Sequence, residues 1–320
     1  MSRKPVIVGV DGSSEAVRAA ALGWRIAQGA KTECRLVHAV PDVWAVASLA
    51  QVPMYSPQLE RDLVDDARRQ LGSGLGDAVP RSVRDTLEIR IGHAALVLSD
   101  VIKESGGAEL VVLGGRHHGP LARSLGGSTA HYLIRTLDVP VLVAGASSRP
   151  VQHVLTAVDL SEVAPATLAA AEWMAGLLGA RLRVMHVVEP IKFPTVVPVT
   201  LDEEEFYRRS VAAFERLMTP HEGVAETDRV TRRGVAAETI EAEAADWPAD
   251  VIVVGSHGKG WVDRLIVGSV TERLLNRLPA SLLVIPAARA QRRAAAAPRS
   301  RPARARTSNK MKGRARHESR

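Results

Sequence analysis

The sequence predicts an α/β protein with two doubly wound, five-stranded, mostly parallel sheets in tandem. Short apolar stretches of strand length alternate with stretches of helical periodicity along the chain. Several of the short stretches are apolar at every position, which is typical of parallel strands covered on both faces. The same alternation is written twice, in residues 1–146 and again in 151–286, with a linker predicted over residues 147–150.

Internal repetition supports the duplication. VIVGVDGS (6–13) is echoed by VLTAVDLS (154–161), and each reads as an apolar strand that ends in aspartate. The interval from that aspartate to a histidine in the next strand is 27 residues in both copies, Asp11 to His38 and Asp159 to His186. Further pairs follow in the same order: IRIGHAA (89–95) with TRRGVAA (231–237), ELVVLG (109–114) with DVIVVG (250–255), and GS (127–128) with GS (268–269). Ordered landmarks of this kind indicate a repeated unit.

The elements of the first unit follow in order from this pattern. Strands are predicted at about residues 5–10, 34–40, 86–91, 109–114 and 140–144, and helices at about 14–29, 57–78, 93–105 and 127–137. Ser13 or Ser14 in the first unit and Ser161 in the second are the predicted caps of the first helix. The proline-bearing connections 41–57 and 190–202 fit either lids over a site or surface loops.

A glycine-bearing loop follows a strand in residues 250–271, DVIVVGSHGKGWVDRLIVGSVT. Gly255, Gly258, Gly268 and Ser269 form the pattern G-x2-G-x9-G-S, placed where a parallel strand hands over to a helix. Glycine lets backbone N–H groups approach an anion closely, and a helix start adds unpaired N–H groups and a positive dipole end. The loop is therefore a predicted phosphate-binding element.

Ligands of doubly wound sheets bind outside the carboxyl ends of the strands. Two sets of residues are predicted at such ends, Asp11, Ala39 and Gly114 in the first unit and Asp159, Val187 and Gly255 in the second. The two aspartates could accept a ribose hydroxyl or help to hold a phosphate-bound metal, and the alternative is an acid that caps a helix.

The remaining candidates give no catalytic or metal site. His38 and His186 lie within apolar strands and are interpreted as core histidines with satisfied rings, and the adjacent His117 and His118 lack a third metal ligand. The run of acids 203–205 is interpreted as a solvated helix start. No Cys-His or Ser-His-Asp arrangement is brought together by the repeat, so efficient catalysis is not indicated.

Composition predicts a cytoplasmic protein. The single cysteine, Cys34, excludes an internal disulfide framework and fits a reducing compartment, where it is interpreted as core packing. No apolar run approaches the ~20 residues that a membrane-spanning helix needs. The run of residues 6–10 is too short for the core of a signal peptide.

The charge is concentrated in residues 287–320, which are rich in Ala, Arg and Lys and are predicted to be disordered. This tail holds 12 of the 42 Lys and Arg and one of the 35 Asp and Glu, so residues 1–286, with 30 bases and 34 acids, carry a net −4 although the chain carries +7. Such a tail attracts polyanions, and the alternative is a solubilising tail without a partner. It has no aromatic residue with which to stack on bases.

The motifs VGVDGS, TAVDLS, VVGSHGKG followed by VGS, VPVLVAG and SLLVIP resemble those of the universal stress proteins in their tandem two-domain form, over residues 4–286. The resemblance implies two Rossmann-like domains whose fifth strands pair as an intramolecular pseudo-dimer. It also implies that the glycine pattern binds ATP, with Mg²⁺ as its companion ion.

Carried over by position, Asp159 lies by the ribose and the backbone of Val187 by the adenine. The phosphates fall to residues of the glycine loop and helix start, Gly255, His257, Gly258, Gly268, Ser269 and Val270. The corresponding residues of the first unit are Asp11, Ala39, Gly114, Gly119, Gly127, Ser128 and Thr129. Ten residues before Gly127 stands His117 where the pattern has glycine, so the second site is predicted to be the better one.

The first functional hypothesis is an ATP-binding regulatory protein of the stress response, with slow hydrolysis at most. The alternatives are a nucleotide-independent interaction scaffold of the same fold and an enzyme that uses ATP to activate a substrate. The sequence leaves open whether the protein forms a homo-oligomer, and it does not identify the regulated partner.

We predict that the tail confers DNA binding that is independent of base sequence and weakens as salt rises, because it would act through counterion release. Electrophoretic mobility shifts at several salt concentrations, with and without residues 287–320, would measure this. Unchanged binding after the deletion would show that the tail is not responsible.

Overall fold

The computed structural model describes residues 3–42, 57–115, 129–190, 202–256 and 267–287, and structural statements below concern these ranges. The strands are β1 (Val6–Gly9), β2 (Cys34–Val40), β3 (Glu88–Ile91), β4 (Leu110–Gly114), β5 (Val141–Ala144), β6 (His153–Ala157), β7 (Arg181–Val188), β8 (Arg229–Arg233), β9 (Val251–Gly255) and β10 (Ser281–Ile285). The helices are α1 (Ser14–Ala30), α2 (Pro57–Leu75), α3 (Arg81–Arg84), α4 (Ala94–Glu104), α5 (Thr129–Thr136), α6 (Ala164–Leu178), α7 (Glu203–Met218), α8 (Ala236–Asp246) and α9 (Ser269–Arg277).

The strands form one ten-stranded sheet in the order β3-β2-β1-β4-β5-β10-β9-β6-β7-β8. Each half has the same internal order, and neighbours within a half are parallel. The two halves meet where β5 pairs with β10 antiparallel, with Leu142 opposite Leu283. The predicted fold class is confirmed, including the pairing of the fifth strands.

Helices cover both faces of the sheet. Successive residues of each strand point to opposite faces, so they join different apolar clusters. Val6 and Val8 belong to the apolar cluster beneath α1, α2 and α6, whereas Ile7 belongs to the cluster beneath α4, α5, α8 and α9. Both clusters draw residues from the strands of both halves, so each runs across the junction. Because helices cover both faces of the sheet, several strands are apolar at every position.

The first helices of the two halves also meet. A Cβ built on Gly29 of α1 would lie 2.1 Å from a methyl carbon of Leu177 in α6 and 3.1 Å from the backbone oxygen of that residue. A side chain there would require Leu177 to change rotamer and the helices to separate by a few tenths of an ångström. The glycine therefore permits the close approach of the two helices over the junction.

The predicted caps are confirmed in the first half and wrong in the second. Ser13 caps α1, since its side chain accepts a hydrogen bond from the amide of Ala16. Ser161 is not the cap of α6, which begins at Ala164 after Val163. The Oγ of Ser161 instead accepts from the amide of Val163 at 3.3 Å, and this local turn delays the helix.

The acids at 203–205 begin α7, as predicted, and the cap of this helix is Asp202.

Other predictions fall partly or wholly outside the described ranges. Most of the two long connections and all of the tail beyond Ala287 lie outside the described residues. No helix within the described ranges is long and apolar enough to cross a membrane.

We predict that Leu142→Ala lowers the free energy of unfolding by about 2–5 kcal/mol, because Leu142 is fully buried at the junction. Urea denaturation would measure the loss, and Leu96→Ala on α4, where the side chain is 50% exposed, is a control expected to change it by about 0.5 kcal/mol or less. Protection against hydrogen exchange, read by mass spectrometry, should weaken in both β1 and β6, and an effect confined to β1 would contradict a sheet that is stabilised as one unit.

Candidate functional site

The structure brings the predicted strand-end residues of the second half to one edge of the sheet. β6 lies between β7 and β9, with Ala157 opposite Met185 and Thr156 opposite Val253. Asp159 and Val187 each lie two residues beyond the first pair, and Gly255 lies two residues beyond Val253. Since adjacent strands are about 4.8 Å apart, the three residues border a common space.

The carboxylate of Asp159 is held in place at one oxygen and left without a partner at the other. Its Oδ1 accepts a hydrogen bond from the amide of Ser161 at 3.1 Å. Its Oδ2 is buried and has no hydrogen-bond partner among the described residues. Such an acceptor costs about 1–3 kcal/mol and is expected to have a partner that the described protein atoms do not supply.

The backbone after each aspartate adopts the same left-handed conformation. Gly12 has φ 79° and Leu160, at the equivalent position, has φ 59°. Glycine adopts this conformation freely, whereas leucine does so at a cost of roughly 1 kcal/mol. The second half keeps the turn in spite of that cost, which indicates that the direction of the chain after Asp159 is tightly constrained.

Helix α9 starts beside Gly255. The amide of Gly268 donates to the carbonyl of Ser256 at 2.8 Å, and the hydroxyl of Thr271 donates to the carbonyl of Gly255 at 2.8 Å. The first-turn amides of Ser269 and Val270 have no intrahelical acceptor, as at the start of any helix. No described side chain caps α9 in their place. These N–H groups suit an anion at the strand end.

Gly268 has an ordinary extended backbone conformation at the start of α9. Its φ of −60° and ψ of 145° are accessible to any residue, so the backbone conformation does not require glycine. The remaining reason for glycine at this position is the close approach of another group to the backbone.

The first half has the same arrangement with a more exposed aspartate. Gly9 is opposite both Val37 and Leu113, so Asp11 is level with Ala39 and adjoins the end of β4 at Gly114. Asp11 is exposed, and its Oδ1 accepts hydrogen bonds from both the amide and the hydroxyl of Ser13. The acid thus orients the cap of α1, which is close to the alternative considered for it.

Gly114 has a packing role that the sequence did not reveal. A Cβ on it would lie 2.7 Å from the backbone carbon of Glu15 and 2.8 Å from the amide nitrogen of Ala16. Glycine at this strand end therefore lets α1 begin close to β4.

Thr129 is the first residue of α5. Five predicted site residues, Gly119, Gly127, Ser128, His257 and Gly258, lie outside the described residues.

Two histidines support the strand ends. The ring Nδ1 of His38 donates to the carbonyl of Val10 at 2.7 Å, and that of His186 donates to the carbonyl of Val158 at 2.8 Å, since a carbonyl can only accept. The interpretation as a core histidine is confirmed for His186, whereas His38 is half-buried, and in both rings Nδ1 has a partner. Each carbonyl belongs to the residue before the aspartate, a role that the shared 27-residue interval could have suggested.

The other candidate groups within the described residues are metal ligands and the single thiol. Among them, no three His, Cys, Asp or Glu side chains are grouped as metal ligands. Cys34 is buried in the core beneath α1, and this burial raises the pKa of its thiol to about 12. A thiol in that state is a poor nucleophile.

Comparison with known proteins supports the resemblance over both halves. The family model described as the universal stress protein family matches residues 2–145 and 150–286. A universal stress protein of Mycolicibacterium smegmatis is 28% identical over 293 residues, which cover 88% of this chain and 96% of that protein. A universal stress protein of Mycobacterium tuberculosis is 27% identical over 307 residues, covering 87% and 96%.

Solved structures show the same fold at lower identity. A universal stress protein from Archaeoglobus fulgidus aligns with a TM-score of 0.56 at 16% identity, covering 89% of this chain and 97% of that one. A structure from Pseudomonas aeruginosa, described as a putative universal stress protein, aligns with a TM-score of 0.57 at 18% identity, covering 88% and 92%. At these identities the likeness concerns the fold.

We predict that Cys34 in the native protein reacts negligibly with Ellman's reagent at pH 8, because the thiol is buried and protonated. Absorbance after mixing would measure the reaction, and one equivalent should react after unfolding in guanidinium. Ser73→Cys, which adds a cysteine at an exposed position of α2, is a control expected to react at once. The protonated thiol of Cys34 also contributes to the stability of the folded protein. Because burial raises the pKa of this thiol in the folded protein, its contribution is complete below the pKa of the thiol in the unfolded chain and declines as the pH rises towards 12.

Proposed function

The chain belongs to the universal stress protein family, and we propose that it binds ATP as a regulatory module of the stress response, with slow hydrolysis at most. The observation that carries the proposal is the buried Oδ2 of Asp159, which lacks a partner among the described residues and borders the strand-end space. A ribose hydroxyl would supply the missing donor.

The protein groups around this space suit the parts of a nucleotide. The backbone of Val187 ends the neighbouring strand and would contact the adenine. The uncapped first turn of α9 would bind the phosphates through the amides of Ser269 and Val270. The loop that contains His257 and Gly258 is predicted to complete the phosphate site.

Mg²⁺ would accompany the phosphates and neutralise part of their charge. The donor set fits a hard cation held mainly by phosphate oxygens and water, because Mg²⁺ prefers oxygen ligands and keeps several waters. Asp159 is an acid of the second half that borders the space. The chain itself binds, orients and shields the nucleotide.

The two sites are proposed to differ in affinity, the second being stronger. Asp159 holds a buried oxygen without a partner, whereas Asp11 is exposed and engaged with Ser13. The first site also has His117 in place of the middle glycine of the motif. Both differences favour the second half.

Two other functions remain as alternatives to test. A scaffold of the same fold would retain no nucleotide. An enzyme that activates a substrate with ATP would exchange labelled pyrophosphate into ATP, an assay that a purely regulatory protein fails. The cytoplasm remains the predicted compartment, on the ground that Cys34 is the single cysteine.

We expect adenine nucleotide to be retained by freshly purified protein, because the site would enclose the ribose and phosphates. Mass spectrometry of the denatured protein would detect it, and calorimetric titration with ATP and Mg²⁺ would give the affinity. The proposal would be refuted if the purified protein retained no nucleotide and the calorimetric titration showed no binding.

We predict that Asp159→Asn weakens ATP binding about tenfold or more, because hydrogen bonds to a charged acceptor contribute about 1.5–3 kcal/mol. The matched change Asp11→Asn should have a smaller effect, and Gly268→Ala should likewise weaken binding more than Gly127→Ala. Calorimetric titration would compare all four variants, and equal losses would contradict the ranking of the sites.

A measurement without nucleotide separates binding from structure. The thermal midpoint of Asp159→Asn should be unchanged or higher, since the substitution removes a buried charge without a complete set of partners. A purely structural aspartate would instead lower the midpoint when changed.

A further inference from the structure

A second concave site lies at the junction of the two halves, beside Ala144 at the carboxyl end of β5 and on the far side of the sheet junction from Asp159. This junction cleft has a volume of about 240 Å³ and is lined by α1, by residues 147–149 between the halves, and by Asp250 and Ser281 at the starts of β9 and β10. It is built from both halves of the chain, and its lining includes none of the residues proposed for the nucleotide site of the second half.

Three guanidinium groups line the junction cleft, those of Arg18, Arg25 and Arg149. Arg18 is fixed, since its Nε donates to the carbonyl of Gly145 at 3.2 Å and it pairs with Glu15 at 3.2 Å. Arg25 is half-buried and Arg149 is exposed, and neither side chain contacts an acceptor among the described residues. Two of the three cations therefore lack a counter-charge in that part of the chain.

The acid in the junction cleft does not neutralise these cations. The Oδ2 of Asp250 accepts hydrogen bonds from the amides of Gln152 at 2.7 Å and His153 at 3.0 Å. Its charge is thus satisfied by the backbone at the start of β6. Counting Asp250 and Glu15, the partner of Arg18, against the three arginines leaves an excess of about one positive charge at the cleft.

The other half of the molecule provides an internal comparison. The interval between Asp11 and Asp159 makes Ala166, Ala170 and Trp173 of α6 equivalent to Arg18, Leu22 and Arg25 of α1. These residues line the equivalent cavity, together with Glu109 and Pro140 where the junction cleft has Asp250 and Ser281. That cavity measures only about 30 Å³.

The same position in the fold is therefore a small, mostly apolar cavity in one half but a larger, cationic one in the other. The fold accepts the small form, so the arginines are not required to pack the helix against the sheet. Their presence in only one copy indicates a role that packing does not explain.

We propose that the junction cleft binds a small, multiply charged oxyanion that carries phosphate or carboxylate groups. The planar guanidinium fork matches both kinds of group through paired hydrogen bonds. The volume is below the roughly 300–1,000 Å³ of sites for drug-sized ligands, which favours a compact molecule. Such a ligand would contact α1 of the first half and the strand starts of the second.

The test is calorimetric titration of the full chain with inorganic pyrophosphate and, separately, with citrate, at 0.15 M NaCl. We expect at least one of the two to bind, and Arg25→Gln combined with Arg149→Gln to weaken that binding about tenfold or more. Binding of pyrophosphate alone assigns the site to phosphates, binding of citrate alone assigns it to carboxylates, and binding of both supports a general oxyanion site.

The charge-matched control combines Arg61→Gln with Arg69→Gln on the exposed face of α2. It should leave the affinity within about twofold of the unchanged protein. Binding of neither probe, or an equal loss in the control, would overturn the proposal.

A footprint on the unchanged protein locates the ligand. Phenylglyoxal modifies accessible arginines, and peptide mass spectrometry reads which of them have reacted. The bound anion should protect Arg25 and Arg149 but not Arg61. Protection confined to other arginines would contradict the site, and ATP affinity should be equal in the cleft variant and the unchanged protein.

Discussion

The antiparallel pairing of β5 with β10 is the contact on which the rest of the structure depends. Without it each half would expose an apolar edge strand, and unpaired edges of that kind promote association with other chains. The pairing makes one sheet of ten strands and lets both apolar clusters run across the junction. It also brings α1 and α6 together at Gly29 and creates the two cavities beside them.

Much of the fold could be predicted because its signals are local. Parallel strands that are buried on both faces are apolar at every position, and a duplicated chain states each element twice. The start of α6 could not be predicted in this way, since Ser161 has two competing local bonding patterns and the structure adopts the turn. The packing of Gly114 on α1 depends on how far apart a helix and a strand lie, which spacing along the chain does not encode.

In the candidate site, too, some features could be predicted from local sequence and others depend on tertiary packing. Residues at strand ends, such as Asp159 and Val187, follow from strand boundaries and were predictable. The difference between Asp11 and Asp159 was not, because the two occupy equivalent positions and differ in burial and in partners. The junction cleft was also beyond sequence reasoning, since it joins α1 to residues more than two hundred positions away.

The covalent link between the halves has an evolutionary consequence. In a homodimer built on this fold, one codon change alters both sides of the twofold axis, so a useful change on one side must also be tolerable on the other. A fused gene removes that condition. Trp173 can line a small cavity in one half while Arg25 lines a larger one at the junction, and selection can act on each independently. The fold of a symmetric dimer thereby becomes a molecule with two different faces.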